Sequence, residues 1–235
     1  MQKVASLSIL LLILWNYLAN ASIVYPLTIG DISRSVETLF TPAGYAFAIW
    51  GFIYLGVIVH ATREWFRPGL SREAWSLILM QSVLNGLWIH AFLSRWFFVS
   101  FLLLLALSVV LVVLLKRLNP DSAWRQIWGL YGGWALAATF VNAAIVLNQW
   151  GLNSNPNSWY VAVCLLAAFG GGAISARLNS FSYAMAVAWA LIAIAMFHYG
   201  NIQLSYPPGI AGIFLLYFRL NRSIREFLAG KTTRL

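Results

Sequence analysis

Long apolar stretches follow one another along the chain, separated only by short polar breaks. They cover residues 4–24, 41–61, 73–93, 95–115, 126–148, 158–176 and 181–200, with a shorter eighth over 207–220. A hydrocarbon core about 30 Å thick takes roughly 20 helical residues to cross, so the first seven stretches predict membrane-spanning helices. The eighth spans if its helix continues to Arg225 or if the bilayer thins around it. A nine-residue polar loop over 149–157, rich in Asn and containing Pro156, divides a first block of five helices from a last block of three.

Composition agrees with this pattern. Apolar residues make up 61% of the 235 and charged residues only 9%, against about 25% charged in a soluble domain. Too few polar groups are present to cover a water-facing surface, which excludes a cytosolic enzyme, a nucleic-acid binder or a disordered regulator as starting points. The expected fold class is all-α, a polytopic membrane helical bundle of about eight transmembrane helices. The single cysteine, Cys164, excludes an intrachain disulfide and reads as a small packing residue.

The net charge of +9 matters through its placement. With eight spans and the amino terminus inside, Lys3, Arg63, Arg67, Arg72, Lys116, Arg117, Arg125, Arg177, Arg219, Arg222, Arg225, Lys231 and Arg234 face one side. Only Arg34 and Arg95 face the other. Basic loops select the cytoplasmic face, so both termini are expected in the cytoplasm and the protein in the plasma (inner) membrane. Omitting the eighth span would put five basic residues of the tail outside. Lys3, the apolar run 7–15 and Ala19-Asn20-Ala21 also resemble a secretory signal peptide. The reading adopted is an uncleaved first helix, which a mature chain starting at Ser22 would refute.

Candidate chemistry is sparse. Asp31, Glu37, Glu64, Glu73, Asp121 and Glu226 all fall in loops, at helix ends or in the tail. Ion- and proton-coupled transporters usually carry carboxylates inside the membrane, and paired acids serve general acid–base chemistry; neither pattern occurs. His60, His90 and His198 lie on three different helices without a metal-ligand spacing, so no metal site is expected. No serine sits in a nucleophile elbow. Gly170-Gly171-Gly172 lies within a membrane helix and reads as a close-packing surface. No catalytic residues and no cofactor are assigned.

The 12 tryptophans are the remaining signal. Trp65, Trp75, Trp96, Trp124, Trp150 and Trp159 lie near predicted helix ends, where indoles anchor in the headgroup layer. Trp50, Trp88 and Trp134 lie deeper. Gln81, Asn85 and Trp88 share one face of the third helix, Tyr131, Trp134, Ala138 and Asn142 one face of the fifth, and Trp50 and Tyr54 one face of the second. Two readings stand. The amides hold helices together, or they orient a ligand in a cavity walled by flat aromatics.

At these positions the chain resembles the TspO/MBR family, the translocator or tryptophan-rich sensory proteins. The stretch from Phe40 to Tyr54, with Pro42, Tyr45, Phe47 and Trp50, resembles that family's second-helix signature. Gln81, Asn85 and Trp88 with Phe92 resemble the third-helix motif, and Tyr131-Gly-Gly-Trp134 with Ala138 and Asn142 the fifth-helix motif. The family's usual double proline is here Pro42-Ala43, and where a small residue and paired phenylalanines often follow the third-helix tryptophan, this chain has Ile89 and His90 with Phe92 alone beyond them. The resemblance covers about residues 1–150, implying a TspO-like five-helix core, a three-helix extension over 151–225 and a basic tail over 226–235.

It also implies a pocket for hydrophobic, planar molecules such as porphyrins, lined by Trp50, Asn85, Trp88, Trp134, Ala138 and Asn142 with Tyr54 nearby. The function expected is binding of a tetrapyrrole-like small molecule, for sensing or handling it. The alternatives are a permease for a hydrophobic solute, motivated by a last helix interrupted at Pro207-Pro208-Gly209, a membrane enzyme acting on a tetrapyrrole, and a scaffold without a ligand. Expected partners are the lipid bilayer, the hydrophobic small molecule and a second copy of the chain, with no nucleic acid.

Overall fold

The computed structural model describes residues 1–119, 122–152 and 156–228. Asp121, residues 153–155 of the Asn-rich loop 149–157, and residues 229–235 of the basic tail, with Lys231 and Arg234, therefore lie outside the described residues. The chain forms helices α1 (Gln2–Asn20), α2 (Ile29–Ser35), α3 (Ile49–Phe66), α4 (Arg72–Leu93), α5 (Phe97–Arg117), α6 (Ala123–Gln149), α7 (Pro156–Leu178), α8 (Phe181–Phe197) and α9 (Ile202–Leu228). A 3-10 turn, Gly44–Ala48, leads into α3. No strand occurs among the described residues. Six helices are long and apolar enough to cross a membrane, and α8 is apolar but only 17 residues long. The protein is a polytopic membrane bundle, and each of the eight apolar stretches is a helix.

Two elements depart from the sequence pattern. The first is α2, in a segment read as loop. Thr28 Oγ1 accepts from the Asp31 backbone N–H at 3.2 Å, while Asp31 Oδ2 accepts from the Thr28 N–H at 2.9 Å. This capping box satisfies two orphan donors at once, and it is written in the chain as Thr-Ile-Gly-Asp. The second is α9, which starts five residues before Pro207 and runs unbroken through both prolines. A proline inside a helix leaves the carbonyl four residues earlier without its donor. For Pro208 that carbonyl belongs to Leu204, and the Tyr160 hydroxyl of α7 donates to it at 2.7 Å. The expected interruption is therefore absent. Tertiary contact replaces the missing bond.

In the bundle α1 rests on α3 and α4, and Trp15 Nε1 donates to the Gly86 carbonyl at 3.1 Å. Helices α4, α5 and α6 pack as successive neighbours, α3 lies against α6, and α8 joins α6 to α7 and α9. The α6–α8 contact depends on glycine. A Cβ on Gly133 would lie 2.1 Å from the Tyr183 carbonyl oxygen, and one on Gly129 2.2 Å from Ser180 Oγ. Lipid tails are as apolar as leucine, so membrane helices gain from close approach and shared polar contacts rather than from leaving water. The same logic applies at Gly171, which faces Val187 of α8, and Gly172, which faces Leu215 of α9. Polar bonds supplement the packing: Ser108 with Thr139 at 3.1 Å, and Arg125 donating to the last α7 carbonyls at Leu178 at 2.5 Å.

Among the indoles expected as anchors, Trp65, Trp96 and Trp150 are exposed near helix ends. Trp75 is not an anchor: it is 4% exposed and belongs to the hydrophobic core. Trp124 stacks on His60 at 5.0 Å, and Trp159 packs on Phe40 at 5.5 Å.

Candidate functional site

The glycines of Tyr131-Gly-Gly-Trp134 turn one side of α6 toward α8, which leaves the aromatic side of the same helix facing α3. There Trp50 is the hub. Its ring stacks on Tyr54 one turn along α3 at 5.1 Å and on Trp88 of α4 at 5.9 Å. It meets Tyr131 and Trp134 of α6 edge-on at 5.6 and 6.3 Å. Phe47, from the turn before α3, touches Trp134 edge-on at 6.2 Å. Such offset and edge geometries are the favourable ones for aromatic pairs. The result is a cage of flat rings held by three helices.

Inside the cage is a cavity of about 30 Å³, on the scale of a single water. Trp50, Trp88, Trp134, Ala138 and Asn142 line it. Tyr54 and Asn85 do not; they sit one turn further toward the Arg67 end, where Asn85 Nδ2 donates to the Tyr131 hydroxyl. Asn142 also serves packing, since its Oδ1 accepts from Ser100 of α5 at 2.6 Å and its Nδ2 donates to the Ala138 carbonyl at 3.1 Å.

Among the described residues, the buried polar atoms without a hydrogen-bond partner include Trp50 Nε1, the Tyr54 hydroxyl, Trp88 Nε1 and Asn85 Oδ1 at the rings, and Gln81 Oε1 one turn further along α4. Each such atom costs about 1–3 kcal/mol.

The remaining lining was not found from sequence. Ile29 and Ser33 come from α2, Pro42 and Phe47 from the segment before α3, and Ala190 and Ile194 from α8. A second void of about 20 Å³ shares Ala137, Val141, Ala190 and Ile194 with the first and continues between α6 and α8. Segment 36–48 covers the cage, and α8 fastens it. The Ala43 N–H donates to the Ala193 carbonyl at 3.0 Å, and Trp189 Nε1 to the Ala46 carbonyl at 3.1 Å. His198 Nε2 bonds the Leu39 carbonyl at 3.0 Å; a carbonyl only accepts, so that nitrogen carries the proton. Thr-Ile-Gly-Asp was the one signal available for the α2 wall. The α8 wall had none, because alanines in an apolar helix carry no positional information.

Outside the cage, His60 Nδ1 accepts from Trp128 Nε1 at 3.0 Å, which leaves its proton on Nε2, 3.9 Å from Glu64. Glu64 lies at the end of α3 but is only 2% exposed. Its Oε2 accepts from the Gly69 and Leu70 N–H groups at 2.8 and 3.1 Å, and Arg63 pairs with its other oxygen. This carboxylate closes the α3–α4 turn. No cluster of three metal-ligating side chains occurs among the described residues.

Fold and site together define an integral membrane protein with an aromatic cage between its helices. A family model described as TSPO-like protein matches residues 2–219, and the chain belongs to that family. The match extends beyond the motifs, which end at Asn142, through α7 and α8 and into α9. No curated protein and no solved structure matches the chain.

Proposed function

We propose that the cage binds a hydrophobic, flat aromatic small molecule of the tetrapyrrole kind, for sensing or handling it. The observation that carries this is the set of unpartnered polar atoms among stacked rings. The two indole N–H donors of Trp50 and Trp88, both in the lining, suit an anionic or carbonyl oxygen on a guest. A carboxylated porphyrin offers such an oxygen and a planar face for Trp50, Trp88 and Trp134. A cavity of about 30 Å³ is far too small for it, so binding requires the rings to part and segment 36–48 to lift. Site residues are Trp50, Trp88, Trp134, Ala138 and Asn142 at the guest, with Tyr54 and Asn85 supporting them from below.

A second reading is favoured by Asn85–Tyr131 and Ser100–Asn142, where amides tie helices together. In that reading the cage is packing alone. Protoporphyrin separates the two: a molecule that binds only the folded state raises the unfolding temperature with its concentration. Binding predicts a saturable rise, weakened in Asn85→Ala; packing alone predicts none. The permease alternative drew on a broken last helix, and α9 is continuous.

Arg63, Arg67, Arg72, Arg117, Arg177 and Arg225 fall at the α3, α4, α5, α7 and α9 ends that share one side of the bundle. By the positive-inside rule we infer that this side, with both termini, faces the cytoplasm.

A further inference from the structure

Helices α7 and α9 cross the bundle's outer face side by side, and an open apolar groove of about 370 Å³ runs between them toward the basic end. Its floor is small: Gly172, Ala173 and Ala176 of α7. Gly172 lets Leu215 of α9 come close, a Cβ there lying 3.0 Å from Leu215 Cδ1, while the two alanines beyond this contact leave a concave strip. One wall is aromatic, with Phe214 and Phe218 of α9 stacked at 6.3 Å. At its inner end Phe169 meets Phe214 edge-on, also at 6.3 Å, and a second apolar hollow that these two rings line continues along the helices. The outer end carries Arg222 in the lining, with Arg177 and Arg225 exposed at the same end.

The dimensions and charge select an occupant. Phe214 to Arg222 spans eight residues, about 12 Å of helix, somewhat less than half of a hydrocarbon core about 30 Å thick. A groove of this length serves one leaflet. Its apolar part matches an acyl chain, and a guanidinium at the mouth matches a phosphate. Cytoplasmic leaflets carry anionic lipids, and basic pockets between membrane helices on that side bind their headgroups. We propose that the α7–α9 groove is a binding site for one anionic phospholipid of the leaflet at the basic end. One acyl chain lies on Gly172, Ala173 and Ala176 beside Phe218, and the phosphate rests against Arg222. The site is separate from the aromatic cage and stands whether or not the cage binds a guest.

The test uses the full chain in detergent, exposed to vesicles of phosphatidylcholine and phosphatidylglycerol in equal parts, with retained lipid identified by native mass spectrometry. Wild type retains phosphatidylglycerol in preference. Arg222→Gln, with an unchanged unfolding temperature, lowers that preference about five-fold, the effect of one basic side chain near an anionic membrane surface. Arg225→Gln, outside the lining, lowers it less. Ala173→Phe, with an unchanged unfolding temperature, abolishes retention. Equal retention of the two lipids by wild type overturns the proposal, as does an equal effect of Arg225→Gln and Arg222→Gln, or undiminished retention by Ala173→Phe. A mass of two copies that Ala173→Phe returns to one would also overturn it, since the groove would then hold a second chain.

Discussion

Trp50 and Trp88 lie face to face on neighbouring helices, centroids 5.9 Å apart and planes 28° from parallel, and neither indole N–H has an acceptor. The stack contributes dispersion and the two orphan donors oppose it. A phenyl ring at Trp88 keeps most of the contact and removes one orphan. Trp88→Phe is therefore expected to leave the ligand-free protein as stable or stabilise it by about 1 kcal/mol, while weakening retention of protoporphyrin. Thermal unfolding with and without ligand checks both halves; a destabilised ligand-free protein with unchanged binding would contradict the assignment of the N–H to a guest.

The α6–α8 contact makes a sharper structural prediction. Gly133→Ala places a methyl group 2.1 Å from the Tyr183 carbonyl oxygen, which only separation of the helices can relieve. Overpacking of this kind costs about 1–3 kcal/mol, and the unfolding temperature should fall. Gly170→Ala, where a Cβ meets nothing within 4 Å, should not lower it.

Segment 36–48 should loosen when its fastening on α8 is cut. His198→Ala removes the donor to the Leu39 carbonyl, and Trp189→Phe the donor to Ala46. Hydrogen exchange of amides in 36–48 is expected to speed up in both variants, with faster protoporphyrin association. Unchanged exchange would mean that packing of Phe40 on Tyr160, centroids 5.0 Å apart, holds the segment without these bonds.

The α2 cap gives a pH dependence. Bonds from Thr28, with Arg34 adding to them, hold the Asp31 carboxyl below its ordinary value. A depressed carboxyl contributes stability that is fully present above its unfolded value and lost as pH falls through the folded one. The amides of α2 should therefore exchange at a steady protection down to the usual carboxyl range and lose it below. Asp31→Asn should remove this acid-dependent step.

How far these features could be read beforehand depended on the signal each left in the chain. Eight helices were legible because apolar stretches of bilayer length are long and unambiguous. Trp50, Trp88 and Trp134 stood out because large polar-tipped rings recur at helical spacing among residues that otherwise carry none. The α8 wall did not, since Ala190 and Ile194 differ in nothing from their neighbours until α6 glycines bring them close. Likewise the continuity of α9 rests on Tyr160, 48 positions before Pro208, and a local reading of two prolines suggested a break. Trp75 followed the anchor rule by position and the core by contact.

The central claim is that the rings enclose a space a guest can open. Ala138→Phe fills that space from the α6 side. Tryptophan quenching by added protoporphyrin, measured on wild type and on Ala138→Phe of equal helical content, tests it directly. The account predicts saturable quenching in wild type and its loss in the variant; identical titration curves for the two proteins would contradict it.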